Sequence, residues 1–153
     1  MGRTILSDSV FSEFISSLLT YCEEGGHRFH HVDGAVQLFV IKSEKKVISL
    51  FIKVSTSKKG FWGLSKEWQQ KIASLFAKGK KEIGDWAVVL LKDSKRGYIL
   101  WSDDFVRLQP GFSFGNTQKY NEIKINEYTL RPELEFFGLK EFFSRINLKL
   151  NNP

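Results

Sequence analysis

Three side chains toward the N-terminal end of this chain are of the types that metal-dependent phosphodiester cleavage requires: Glu13, Asp33 and Lys53. Carboxylates hold a divalent cation, Mg2+ or Mn2+. A lysine beside the scissile phosphate stabilises its charge or lowers the pKa of the attacking water. A β-hairpin can position them, with one acid at the start of its first strand and an acid-x-lysine pair on its second. Residues two apart on a strand share a face, so acid and lysine meet the same metal-bound water. Asp33 and Glu13 are therefore the expected metal ligands, and Lys53 the expected catalytic cation. Phe51, two residues before Lys53, cannot ligate a metal. A further ligand or water-orienting group would come from Gln37, Glu44, Gln69 or Ser55, or the site is altered. Each residue also has an ordinary reading: Glu13 as a solvated helix side chain, Asp33 before Gly34 as a turn former, and Lys53 as an exposed strand lysine.

The elements that must hold these residues are legible from periodicity. Ser7 or Asp8 caps a helix to about Glu24, with Val10, Phe11, Phe14, Ile15, Leu18 and Leu19 at helical spacing and Gly25-Gly26 as its stop. His27 to Asp33 is polar and reads as irregular. Strands follow over 35–42 and 47–57, joined by the short polar link Ser43-Glu44-Lys45-Lys46. In the second, Ile48, Leu50, Ile52 and Val54 alternate with Ser49, Phe51, Lys53 and Ser55, so one face is core. After the aromatic segment 61–64, Ser65 caps a helix over 66–78. A continuous apolar strand over 85–92 has an antiparallel neighbour at 98–101, then a helical turn around Phe105. A loop covers 109–117, a strand falls within 120–128, and Pro132 opens a C-terminal helix through about Ile146. The order is α-β-β-α-β-β-loop-β-α. That is one α/β (α+β) domain over residues 1–153, with a mixed central β-sheet flanked by helices.

With Glu13, Val32-Asp33 and the stretch 51–60 (FIKVSTSKKG) in this order, followed by a helix bearing Gln69 and Gln70 and an apolar strand, residues 7 to 101 resemble the PD-(D/E)XK nuclease superfamily. That superfamily includes restriction enzymes, some intron-encoded homing endonucleases and junction resolvases. The resemblance implies a restriction-endonuclease-like fold and a Mg2+- or Mn2+-dependent DNA endonuclease of restriction or homing type, acting on double-stranded DNA as a homo-oligomer. Phe51 stands where the family carries Glu, Asp or Gln. A second alignment puts Lys53 at the acid position and Ser55 at the lysine position, and that destroys the chemistry. A catalytically inactive nucleic-acid-binding module or accessory subunit on the same fold is the alternative. A structural subunit with an aromatic interaction surface is the third possibility.

Charge favours a polyanionic partner. The 153 residues carry 23 Lys and Arg against 17 Asp and Glu, a formal charge of +6. Lys58, Lys59, Lys80, Lys81, Lys95 and Arg96 fall at strand and helix ends, where loops gather into one phosphate-facing rim. Trp62 beside Lys58-Lys59 could stack on bases, and Asn116, Gln118 and Lys119 in a Gly-rich loop could read base edges. Each group is equally an ordinary solvated or core feature. Cys22, His27, His30 and His31 fit no standard zinc spacing, and neither a Walker loop nor a dinucleotide glycine motif is present. One cysteine excludes an intrachain disulfide. No apolar run approaches membrane length and no leader pattern is present, so a cytoplasmic protein without membrane contact is expected. The apolar C-terminal residues Phe136, Phe137, Leu139, Phe142, Phe143 and Ile146 offer more hydrophobic surface than one helix face needs, as a subunit contact would.

Overall fold

The computed structural model describes residues 5–31, 37–55, 60–64, 70, 85–111, 113–114 and 123–151. Helix α1 (Ile5–Gly25) leads into β1 (Arg28–His31), β2 (Leu38–Lys42), β3 (Val47–Val54) and β4 (Phe61–Leu64). Then come β5 (Asp85–Leu91), β6 (Arg96–Trp101), α2 (Ser102–Leu108), β7 (Ser113–Phe114), β8 (Ile123–Asn126), β9 (Glu135–Phe137) and α3 (Leu139–Asn151).

Six strands form the main sheet in the order β1-β2-β3-β5-β6-β9. β3 and β5 are parallel, with Lys53 opposite Leu90, and the other neighbours are antiparallel. A smaller antiparallel sheet, β4-β8-β7, stands apart from it. The alternation along β3 sorts its residues to two sides. Ile48, Leu50 and Ile52 pack with Phe14, Leu18 and Cys22 of α1 and with Phe142, Ile146 and Leu150 of α3. Phe51 packs the other way, in a second cluster with Leu38, Trp62, Leu64, Trp86, Leu90, Tyr98 and Phe105. The main sheet is thus buried on both sides, by two helices on one and by α2 and the small sheet on the other. This is the expected mixed sheet flanked by helices.

Three segments differ from their sequence reading. Residues 28–31 form a strand where the polar run reads as irregular, because Phe29 stacks on Phe39 at 5.5 Å and supplies the one apolar anchor the edge needs. The helix expected from Pro132 begins later. Pro132–Leu134 is a single 3-10 turn and 135–137 is edge strand; Gly138, at φ +104°, then turns the chain into α3. The aromatic segment 61–64 is a strand of the small sheet. The second helix, expected over 66–78, lies outside the described residues apart from Gln70, which is helical and exposed.

The surplus apolar surface of the C-terminus is mostly used within the chain. Phe136, Phe142 and Ile146 are fully buried, and Phe143 stacks on Tyr21 at 4.4 Å; Phe137 and Leu148 stay exposed. Among the described residues, no helix is long and apolar enough to cross a membrane.

Candidate nucleic-acid interface

The C-terminal end of β3 holds Lys53 and leads to Ser55, two of the residues expected at the site. Lys53 is half-buried and projects from the same face as Phe51, toward the small sheet. Register places Lys53, Leu90, Tyr98 and Glu135 in one row across β3, β5, β6 and β9. Burial, with the nearby carboxylates of Glu135 and Glu127, pushes the Tyr98 phenol well up, and its hydroxyl bonds the Glu135 side chain.

Next along the face is Ser55, whose hydroxyl donates to the Phe61 carbonyl at 3.2 Å and accepts from the Phe61 N–H at 3.1 Å. Lys92 follows, with its Nζ 2.7 Å from Glu127 Oε2. That oxygen is shut off from solvent, so the ammonium offsets its desolvation. Gly60, at φ +75°, lies so close that a Cβ there would stand 2.6 Å from Glu127 Oε2. The Gly60 carbonyl accepts from the Glu127 N–H at 3.0 Å. This polar group of Tyr98, Lys92, Glu127 and Glu135 was missed in the sequence. Its members come from four elements, and no spacing ties them together.

The expected site residues are not all brought together. Glu13 is exposed on α1, which covers the face carrying Ile48, Leu50 and Ile52, so the main sheet lies between it and the side from which Lys53 projects. Its neighbours are Ser12, Ser16, Ser17, Ser94, Lys95 and Leu139, around an open groove. Gln37 is buried at the start of β2, at φ 68°, and its carbonyl accepts from Ile52 N–H at 3.0 Å. Ser55 is engaged by Phe61 as described. Asp33, Lys58, Lys59, Gln69, Lys80, Lys81, Asn116, Gln118 and Lys119 lie outside the described residues.

Trp62 requires a correction. It is fully buried between the two sheets, with Nε1 donating to the Leu91 carbonyl at 3.1 Å and its ring edge-on to Tyr98. A buried indole with a satisfied N–H packs core and has no face left for a base. Lys95 is exposed at the β5–β6 turn. Arg96 is half-exposed and held by Asp93 at 2.8 Å. The same contacts, from the Lys95 and Arg96 side, hold the Asp93 carboxyl below its ordinary range against the opposing effect of its partial burial. Cys22 is buried in the helix-covered core, and burial pushes its thiol up to about 11, the opposite of an activated nucleophile.

The described donor set does not suit a divalent cation. Phe51 of β3 is sealed in the core, Glu13 is exposed on α1, and Glu127 is engaged by Lys92. Among the described residues, no three His, Cys, Asp or Glu side chains converge.

A meander of β1, β2 and β3 behind a first helix, with β5 returning parallel to β3, is a restriction-endonuclease-like fold. One solved structure of similar fold is that of Hjc, a Holliday junction resolvase from the archaeal hyperthermophile Archaeoglobus fulgidus. The TM-score is 0.52 at 16% identity, over 82% of this chain and 89% of that one. No family model matches the sequence, and no curated protein matches it.

Proposed function

We propose that this chain is a DNA-binding protein built on a nuclease fold, and that it does not cut the DNA it binds. The carrying observation is Phe51. At the β3 position where the fold holds a metal-binding acid, this side chain is fully buried against Trp86 and its neighbours. In the alternative register Lys53 and Ser55 occupy the acid and lysine positions, and neither can do the work of the residue it replaces. The net charge of +6 supports a polyanionic partner.

The test is incubation with linear duplex and with a four-way junction, in Mg2+ and separately in Mn2+. The expected result is salt-sensitive binding with no cleavage product. A product that disappears in Asp33→Ala or Lys53→Ala overturns the reading.

A second reading, a metal-dependent DNA endonuclease, is favoured by one observation: the similar fold is that of a protein described as a Holliday junction resolvase. On that reading Asp33 would hold Mg2+ or Mn2+ and Lys53 would face the phosphate. The same incubation separates the two.

A further inference from the structure

The ribbon of β1 and β2 carries cations that the fold leaves uncompensated. Arg28 and Lys42 are register partners across this antiparallel pair, so their side chains stand side by side on one face. Both are exposed, as is His30, two residues along β1 on the same face, and so is Lys45 in the hairpin turn. Phe29, between Arg28 and His30, points the other way into the helix-covered core, which fixes the direction of its neighbours.

Elsewhere the described arginines are neutralised. Arg96 is held by Asp93, Arg107 by Asp104 and Arg145 by Glu141, each at 2.8 Å, and Arg131 stands 3.8 Å from Glu133. Arg28 is the described arginine without an ion pair, and Lys42 and Lys45 have none either. Glu44, the carboxylate of the same hairpin, is exposed and makes no ion pair with them. Like charges directly opposite on a ribbon destabilise it. An edge strand could have carried any polar residues there. The pair gains nothing within the fold and suits an anionic ligand outside it.

We propose that Arg28 and Lys42, with Lys45 and His30 beside them, form a docking surface for the phosphate backbone of duplex DNA. It is separate from the Lys53 end of β3. This rests on the reading that the chain binds DNA, and it adds where the backbone lies. Binding there is electrostatic and independent of base sequence. Removing one cation that meets a phosphate lowers the slope of log affinity against log salt by about 0.9.

The experiment measures duplex binding of the full chain from low to moderate salt. It compares the parent with Arg28→Ala/Lys42→Ala and with Lys140→Ala, an exposed lysine on α3 in the helix layer. The expected result is a slope lower by about 2 in the double variant, with Lys140→Ala retaining the parent's. A parent that binds and a double variant with an unchanged slope overturn this surface while leaving DNA binding intact. A parent that does not bind duplex at all overturns the DNA-binding reading itself. Tighter binding to phosphatidylserine vesicles than to duplex overturns the choice of partner. Arg28→Glu, which creates an opposite-charge pair with Lys42, is expected to lose DNA affinity while melting at or above the parent temperature. Melting well below it would overturn the claim that the like-charge pair serves a ligand and not the fold.

Discussion

The two faces of the six-stranded sheet are closed by different materials. On the face under α1 and α3, Phe14, Leu18, Ile48, Leu50, Ile52, Phe136, Phe142 and Ile146 meet as an apolar layer. Its aromatic contacts include Phe14 edge-on to Phe142 at 5.1 Å. The opposite face is roofed by α2 and the small sheet, and its far end is polar: Lys53, Ser55, Tyr98, and Lys92 with Glu127. Helices satisfy their own backbone and can present a purely apolar surface. The small sheet docks through bonds that cross to the main sheet, from the Trp62 indole to the Leu91 carbonyl and between Ser55 and Phe61. Polar side chains at the end of β3 therefore serve to join the two sheets. Ser55 is tied to Phe61, and Lys92 to Glu127.

Four measurements test that contrast. Phe51→Glu puts a carboxylate into a fully buried aromatic site. A cost of several kcal/mol is expected, enough to abolish folding in urea titration. A stable variant that binds Mn2+ would show that this face can open. Phe142→Ala, in the middle of the helix-covered layer, is expected to cost about 3–5 kcal/mol in the same titration. A loss below about 1 kcal/mol would deny that layer its dense packing.

Glu127→Gln removes one partner of an ion pair whose side chains are 22% and 28% exposed. Its expected cost, about 1–2 kcal/mol, falls between surface and fully buried pairs. An unchanged midpoint would make the pair incidental to docking the small sheet.

The smallest effect concerns Cys22. Its thiol is raised in the fold to about 11 from an ordinary value of 9.0. The folded state therefore keeps a proton that the unfolded chain gives up in this range. That contribution to stability is complete below about pH 9 and is lost as pH rises toward 11. Cys22→Ala should flatten the alkaline decline of stability, and a thiol reagent at neutral pH should react only after unfolding. Rapid labelling of the native protein would contradict the burial of this layer.

Much of the scaffold was legible because it rests on periodicity. The 3.6-residue spacing of Phe11, Phe14, Ile15 and Leu18 places α1, and the alternation of Ile48, Leu50 and Ile52 places β3 with its helix-facing side. The edge strand at 28–31 escaped because a ribbon covered on one side needs only Phe29 as anchor. The C-terminal helix was read too early because Glu135 and Phe136 fit a helical pattern as well as an edge strand. The site was less legible. Trp62 beside two lysines reads as a base-stacking residue until the small sheet is seen to bury it. Glu13 lies on α1, over one face of the sheet, and Lys53 projects from the other face, which spacing along the chain does not reveal.

By itself the sequence determined the class of fold, the helix-facing side of the sheet and the basic balance of charge. Each follows from residue type and local spacing, which act within a few turns or strand pairs. Only the tertiary structure decided that Phe51 is sealed, that Trp62 is core, that Lys92 meets Glu127, and that Arg28 stands beside Lys42 without a carboxylate. Those facts depend on which distant segments pack or pair together, and burial and charge compensation are properties of that packing.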